Sequence, residues 1–433
     1  MRTEALPSID LYAVKPTDYV GVAPKLQVKV GDTVKAGTVL FFDKNNEQAR
    51  FVSPVSGTVE DIVRGDKRAL LQVVVRNDGT QQSETFPCGA PNQMSPEALT
   101  DLMVSSGVWT LLRQRPFGTV PHTDEKPKAV FISAFDSAPL GVNYGFILKD
   151  RKEDFQCGID VLARLAGTVH LSINPEREHN DIFCNTQHVV LHRFTGKHPA
   201  GLVGTQIAKI DPINKGETVW TIEAQDVATL GHLVRTGEYR PERIVALAGP
   251  VVKEPQYYSL LSGACISNLS AHVTEENVRF ISGNILTGTN IGANGFLGSG
   301  DSLISVLPEG NQYDFMGWLM PGIKKYSTSR TFLSGFLQCG SHRKFLENCK
   351  LNTGLHGSVR PFIVTGEFEK VVPLDIYPLQ LIKACIIGDI ELMESLGIYE
   401  VEPEDFALCE FVDVSKTEIQ SIIRQGLELI RTN

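Results

Sequence analysis

The strongest constraint in this sequence is a change of period. Between residues 20 and 76, apolar and polar positions alternate in short runs cut by turn signals. Leu26, Val28 and Val30 share one strand face, Gly31-Asp32 turns, Val34 precedes the Ala36-Gly37 turn, and Val39 to Phe42 follows. Ser53-Pro54-Val55-Ser56-Gly57 marks another turn, with Val59 and Ile62 beyond it and Leu70 to Val75 as a last strand. Period-two strands at this spacing predict a small all-β sandwich. From residue 128 the pattern becomes strand–helix alternation. Apolar strands at 128–134, 168–173, 188–193, 218–222 and 243–248 are interleaved with helices at 154–166 and 225–236. Strands buried on both faces read as continuous apolar runs, so this half predicts a Rossmann-like α/β layer.

Between the two lies a helix over 95–113, with Ser95 as N-cap, Pro96 at the first helical position, a stripe of Leu99, Leu102 and Met103, and Gly107 as a break. Residues 250–335 are glycine-rich with short β-like runs at 278–281 and 303–307. The tail from 374 reads as helical. Ser415-Lys416-Thr417-Glu418 has the form of a capping box, and Ile419, Ile422, Ile423, Leu427 and Ile430 make one stripe. The segment VKVGDTVKAGTVLFFDKNNEQARFVSPVSGTVEDI (28–62) resembles the lipoyl/biotinyl barrel-sandwich pattern. The expected fold is therefore a multidomain α/β (α+β) chain. It comprises a barrel-sandwich domain at 1–85, a linker with a helix at 86–127 and a Rossmann-like α/β domain at 128–249. A small β-grasp-like domain at 250–335 and a mostly helical C-terminal domain at 336–433 complete it.

Composition removes several function classes. With 41 Lys and Arg against 50 Asp and Glu, the net charge is −9. An acidic chain without a basic run cannot neutralise clustered phosphates, so nucleic acid is not an expected partner. The eight cysteines stand at 88, 157, 184, 265, 339, 349, 385 and 409, and none forms CxxC. That spacing argues against zinc ribbons, ferredoxin-type clusters and thioredoxin motifs, and fits free thiols. The start, MRTEALPSIDLYAV, has no basic region followed by an apolar core, so no signal peptide is expected. The most apolar stretch, Ile244 to Val252, is far short of the ~20 residues that span a bilayer. A soluble chain, held at any membrane by partners, is the expectation.

Each conspicuous motif has a functional and a structural reading. Lys44 stands near the hairpin tip where carrier domains are lipoylated, but no acyltransferase partner domain accompanies it, and an unmodified structural domain is favoured. The strand at 128–134 is followed by Phe135-Asp136-Ser137-Ala138-Pro139 and not by a glycine fingerprint, which disfavours a dinucleotide there. The glycines from Gly292 to Gly300 follow no clear strand and read as a loop. Ser262-Gly263-Ala264-Cys265 approaches a flavinylation sequence but has Cys265 where a hydroxyl is needed. His188 and His192 would lie ~13 Å apart on one strand face, too far to share a metal; His198 also reads as structural. Arg113 and Arg115, beside Trp109 and Phe117, suit an anion, a partner or a solvated surface. No catalytic, metal-binding or cofactor-binding set emerges.

Longer stretches carry a resemblance over nearly the whole chain. They include DYVGVAPKLQVKVGD (18–32), FVSPVSGTV (51–59), SGVWTLLRQRPFGTVP (106–121), AVFISAFDSAPL (129–140) and HPAGLVGT (198–205). Beyond these lie ALAGPVV (246–252), ISGNILTG (281–288), FMGWLMPGIKKYSTSRTFLSG (315–335), VVPLDIYP (371–378) and EPEDFALCEFV (402–412). On these the chain resembles the NqrA family, which belongs to the sodium-pumping NADH:quinone oxidoreductases of bacterial membranes. The resemblance implies a six-subunit complex, with partners B to F, that oxidises NADH, reduces ubiquinone and exports Na⁺. It implies a peripheral subunit on the cytoplasmic face of the inner membrane, with FMN, FAD, riboflavin and iron–sulfur in the partners. The related flavin-bearing subunit of complex I and the C subunit of Rnf complexes bind FMN through a glycine-rich loop. Here Trp109, Arg113, Arg115 and Phe117 stand in that place, so the chain is expected to hold no cofactor of its own. The family starts with a Lys-Gly-Leu-Asp-like segment that this chain lacks, and an exposed sandwich edge is the expected consequence.

Two roles follow from the resemblance. One is docking of the membrane subunits. The other is quinone binding at the carboxyl end of the first parallel strand, which nominates Phe131, Phe135 and Asp136, with Leu26 as a neighbour from the sandwich. In this reading Phe stacks the ring, Asp136 relays a proton, and Asp136→Ala slows quinone reduction while NADH oxidation by an artificial acceptor persists. The structural reading makes the phenylalanines core and Asp136 a turn cap. The alternatives are a lipoyl- or biotin-type carrier fused to an α/β domain, which adds mass at Lys44, and a self-contained flavoenzyme, which is yellow.

Overall fold

Alternation through residue 77 yields β1 (Thr3–Ala5), β2 (Leu11–Val14), β3 (Pro24–Leu26), β4 (Thr33–Val34), β5 (Val39–Asp43), β6 (Arg50–Val52), β7 (Gly57–Arg64) and β8 (Leu70–Asn77). The computed structural model describes residues 3–5, 9–177, 181–312, 314–317, 319–323, 325–326, 328–329, 331–337 and 351–433; Cys339 and Cys349 lie outside the described residues. A four-stranded sheet, ordered β2-β8-β7-β4, faces a three-stranded one, ordered β3-β5-β6. Leu40, Phe41, Phe51, Val59, Val73 and Val75 are buried in this sandwich. At Gly57 a Cβ would lie 1.8 Å from the Arg76 carbonyl oxygen, so β7 can lie against β8 there only because that carbon is absent. The outer edge of β2 is not open as expected. Residues 263–265 cover it, with Ala13 N donating to Gly263 O at 2.8 Å and Cys265 N to Leu11 O at 3.0 Å. Unpaired edge groups find partners from a later segment, a pairing that local pattern does not reveal.

The strand–helix half comprises α1 (Pro96–Ser105), β9 (Arg113–Arg115), β10 (Val130–Ser133), α2 (Tyr144–Leu148), α3 (Lys152–Ala166), β11 (Val169–Ile173), α4 (Asp181–Cys184), β12 (Val190–Arg193), α5 (Val203–Ile210), β13 (Val219–Thr221) and α6 (Ala224–Thr236). Ser95 caps α1 as expected, accepting from Ala98 N at 3.2 Å, and Gly107 follows in the left-handed region. The sheet runs β12-β11-β10-β13-β9. The first four strands are parallel, and β9 is antiparallel to β13. Residues 86–127, read as linker, thus supply an edge strand. The chain moves outward from β10 to β12, then returns to place β13 on the other side of β10, so the topological reversal lies between β10 and β13.

The apolar run 243–248 departs from its expected place. It forms β14 (Glu242–Ala248), followed by β15 (Gln256–Leu261), β16 (Val278–Ser282), β17 (Thr289–Asn290) and β18 (Leu303–Pro308). These make a mixed six-stranded sheet, β1-β15-β14-β18-β16-β17, in which β14 is antiparallel to β15 and parallel to β18. A fully apolar strand suits the middle of either sheet, which is why its run alone did not assign it. The C-terminal helices Pro378–Ile387, Ile390–Ser395, Ala407–Val412 and Ile419–Thr432 enclose a separate core. In the last, Ile419, Ile423 and Leu427 are buried and Ile422 and Ile430 pack beside them. The expected capping box does not form: Ser415 Oγ donates to Pro361 O, and the Asp413 carboxylate takes the N–H groups of Ser415 and Thr417. The box occurs instead at Glu402 and Asp405.

Candidate functional site

Parallel pairing brings the carboxyl ends of β10 and β13 together. Two residues past β13 is Glu223, the N-cap residue of α6. Its side chain is exposed to water, with the charged groups of Asp226, Arg243 and Asp136 close around it. Tyr144, on the first turn of α2, donates to Glu223 Oε2 at 3.1 Å. Behind them Asp226 and Arg243 form a buried ion pair at 2.5 Å, and Arg243 also donates to Gly300 O and Asp301 O at 2.6 and 3.2 Å. Burial, then the Asp226 charge, push Glu223 up to about 7, against the pull of Arg243 and the Tyr144 hydrogen bond. Burial, with Glu223 and Asp136 nearby, raises Tyr144 far above its ordinary range. The arrangement can hold a proton on Glu223 near neutral pH and exchange it with the solvent that reaches it.

Asp136 stands at this edge. Its Oδ1 accepts from Ala138 N at 2.9 Å and its Oδ2 from Val142 N at 3.0 Å, closing the loop after β10. Burial raises it, and the two N–H groups oppose that. Phe135 is buried beside it, 3% exposed. Phe131 is buried on β10, stacked on His170 with ring centroids 4.7 Å apart, in a small apolar cluster with Ile207 and Val219. Leu26 is half-buried against the main core and does not belong to that cluster. Of the four, Asp136 is the one whose charge acts on Glu223 and Tyr144, while Phe135, Phe131 and Leu26 are packed in the protein interior or against the core.

The other singled-out residues resolve into contacts. His188 precedes β12 and pairs with Asp160 at 2.9 Å. His192 meets His170 on the neighbouring strand, Nε2 to Nδ1 at 2.9 Å, and burial lowers both. His198 Nδ1 lies 3.1 Å from Ser137 Oγ. Among the described residues, no group of three His, Cys, Asp or Glu could hold a metal ion. Arg113 lies over the Tyr19 ring at 4.5 Å. Arg115 is neither solvated nor open to an anion: it is 2% exposed and paired with Glu402, Glu404 and Asp405. Trp109 is buried and donates to Pro121 O at 2.8 Å; Phe117 packs edge-on against Tyr399. In the glycine loop, Ser299 N donates to the Asp18 carboxylate at 2.8 Å, so the chain's own carboxylate sits on it. The hairpin that carries exposed Lys44 is tied down at Asn46, whose Nδ2 donates to Pro121 O at 3.2 Å.

Sequence reasoning passed over Glu223, Tyr144 and Arg243. A single clue was available for Glu223, a lone carboxylate just past an expected parallel strand. Tyr144 and Arg243 reach it from other elements and leave no local signal.

A sandwich, a parallel α/β layer and a mixed sheet, with no described helix long and apolar enough to cross a membrane, define a multidomain α/β protein. Family profiles described as the NqrA N-terminal barrel-sandwich hybrid domain, the NqrA second alpha/beta domain and the NQRA C-terminal domain match residues 2–78, 94–239 and 244–293. The NqrA subunit of the Na(+)-translocating NADH-quinone reductase of Haemophilus influenzae (strain 86-028NP) is 38% identical over 427 residues, 98% of this chain and 94% of that protein. Those of Actinobacillus succinogenes and Hahella chejuensis are 41% and 39% identical, covering 95% of this chain and 91% and 92% of theirs. An NAD+-reducing [NiFe]-hydrogenase structure superposes with a TM-score of 0.39 at 11% identity, over 81% of this chain and 64% of that one, too slight a likeness to bear on function. The chain belongs to the NqrA family of Na(+)-translocating NADH-quinone reductase subunits.

Proposed function

We propose that this chain serves as the NqrA subunit of a Na⁺-translocating NADH:quinone reductase, peripheral and docked on the cytoplasmic face of the bacterial inner membrane. Its partners are the B to F subunits of a six-subunit complex, and they carry the FMN, FAD, riboflavin and iron–sulfur groups. This chain holds no resident cofactor, a reading supported by Trp109, Arg115 and Phe117 being spent on packing and ion pairs where the flavin-binding relatives have glycines. In the same reading, the β10–β13 unit is Rossmann-like and the β14–β18 unit β-grasp-like. The role rests on end-to-end identity with relatives of that name. Its test is purification of the tagged chain from its host: membrane flavoproteins and Na⁺-stimulated NADH oxidation should accompany it, and a chain isolated alone from intact membranes overturns the role.

Within that role, the quinone head group is proposed to approach the carboxyl ends of β10 and β13, beside Asp136 and Glu223. The observation that carries this is solvent-exposed Glu223, held by a hydrogen bond from buried Tyr144 and pushed up to about 7. Reduction of a quinone to a quinol takes two electrons, delivered by the partners' carriers, and two protons. A carboxyl poised near neutrality can supply one and recover it from water, which also supplies the other. Glu223→Gln should slow quinone reduction by roughly 100-fold, within the usual range for a general acid, while NADH oxidation by an artificial acceptor persists. Unchanged quinone kinetics would remove the proposal.

A further inference from the structure

His192 meets, on the neighbouring strand, the partner that its own strand does not supply. β11 and β12 run parallel, with His170 opposite Val190 and Ser172 opposite His192. Residues two apart on a strand share a face, so His170, Val190 and His192 project from one side of the sheet. β12 is the edge strand, and β11 is its neighbour in the sheet. His170 Nδ1 and His192 Nε2 lie 2.9 Å apart, with ring centroids at 5.1 Å. The His170 ring is stacked on buried Phe131, centroids 4.7 Å apart, and that contact fixes its plane. Both imidazoles are only half-buried, so solvent reaches them.

Burial lowers the pKa of both rings, so each is neutral near pH 7 and carries one nitrogen lone pair. Neutral ring nitrogens suit first-row transition metals, whereas Mg²⁺ and Ca²⁺ take oxygen. Two nitrogens bound to one tetrahedral ion at ~2.0–2.1 Å lie ~3.3 Å from each other, so a shift of roughly half an ångström lets an ion take both. The proton shared between the rings moves to the other nitrogen of the ring that carries it, a tautomer change that leaves both imidazoles neutral. We propose that His170 and His192 form a cross-strand site for a divalent first-row transition-metal ion such as Zn²⁺, Ni²⁺ or Cu²⁺. Two protein ligands fall short of the four that close a structural zinc site, so water holds the other positions and the ion exchanges. The Asp211 carboxylate, which pairs with Lys128, also reaches His170 with its charge and favours a cation there. Once bound, the ion ties edge strand β12 to β11. It carries no electron, so the site stands apart from the role proposed above.

The test is calorimetric titration of Ni²⁺ into the full-length chain, purified without a histidine tag, near neutral pH. Ni²⁺ should bind saturably with micromolar affinity, and excess Mg²⁺ should not displace it. Losing even an outer partner of a metal ligand costs about 10–100-fold in affinity, so His170→Gln and His192→Gln should each weaken the site by at least about tenfold. His188→Gln alters a nearby exposed histidine that pairs with Asp160, and should leave binding unchanged. Hydrogen exchange of the wild type locates the ion independently of any variant: with Ni²⁺, the amides of β12 should exchange more slowly and those of the sandwich should not change. Absence of saturable binding, displacement by Mg²⁺, undiminished binding in both glutamine variants of the pair, loss of binding in His188→Gln, or protection that bypasses β12 would each overturn the site.

Discussion

Glu223 shows how one residue can couple the fold to pH. Burial lifts its pKa to about 7, so the folded chain binds a proton there more tightly than the unfolded chain, whose glutamate titrates near 4.5. A raised carboxylate contributes stability that is fully present below the unfolded value and is lost as pH rises through the folded one. The relevant window is therefore from about pH 4.5 to about 7. Glu223 is exposed to solvent, which screens the effect, so only part of it will survive. Glu223→Gln should flatten the fall in melting temperature across that window. A variant whose melting temperature changes with pH as steeply as the wild type would mean that Glu223 is not the group responsible. Asp136 behaves differently because its two backbone hydrogen bonds favour the charged form and oppose its burial. Asp136→Asn keeps one acceptor, and Asp136→Ala keeps none. Heating should find the alanine variant less stable by about 1–3 kcal/mol, the usual penalty for leaving buried donors unmade, and the asparagine variant close to wild type.

Elements meet here through glycines and one arginine. A Cβ on Gly158 of α3 would lie 2.0 Å from Val227 O, and one on Gly231 of α6 would lie 1.8 Å from Asp154 O. The two helices cross with their backbones almost touching, so Gly158→Ala or Gly231→Ala must push them apart. Overpacking of this kind costs about 1–3 kcal/mol or more where backbone must move, and denaturant midpoints should fall accordingly. Gly167→Ala is the contrast: space is open there, and only its positive φ opposes the change. Elements of this kind were largely legible in the sequence, because β10, β11, β13, α3 and α6 each carry their own period and end signals. What escaped was pairing. Arg113-Gln114-Arg115 looks like surface, yet it forms β9, because Glu402, Glu404 and Asp405, far along the chain, neutralise Arg115 in the interior. The run 243–248 was visible as a strand but not as a member of its sheet. Asp136 was nominated through the rule for strand ends, whereas Glu223 became visible only when β13 was seen beside β10.

On the scale of the whole chain, core continuity outweighs domain count. One apolar cluster runs from Ile9 to Val306, through the sandwich, the parallel layer and the mixed sheet. Residues that share a core unfold together, so these parts should behave as one cooperative unit. The C-terminal helices have their own cluster, from Phe368 to Leu427, joined to the rest at the buried Arg115 with its three carboxylates. That junction is the place where the molecule should divide. Hydrogen exchange with increasing urea should show the amides of Pro378–Ile387 and Ile419–Thr432 opening ahead of those in β10 and β11. Arg115→Met leaves Asp405 buried without its partner, a loss of about 3–5 kcal/mol for a broken buried pair, and should move only the helical transition to lower urea. The pH dependence has a definite sign. Burial, with Asp405 and Glu402 nearby, raises Glu404 despite Arg115, so the docked state holds a proton there that the released state gives up. Docking should therefore loosen as pH rises through the pKa of the docked Glu404. Glu404→Gln should remove that drift and leave the first transition untouched. A single transition at every pH, identical for both halves, would mean that the junction is as strong as the core it joins.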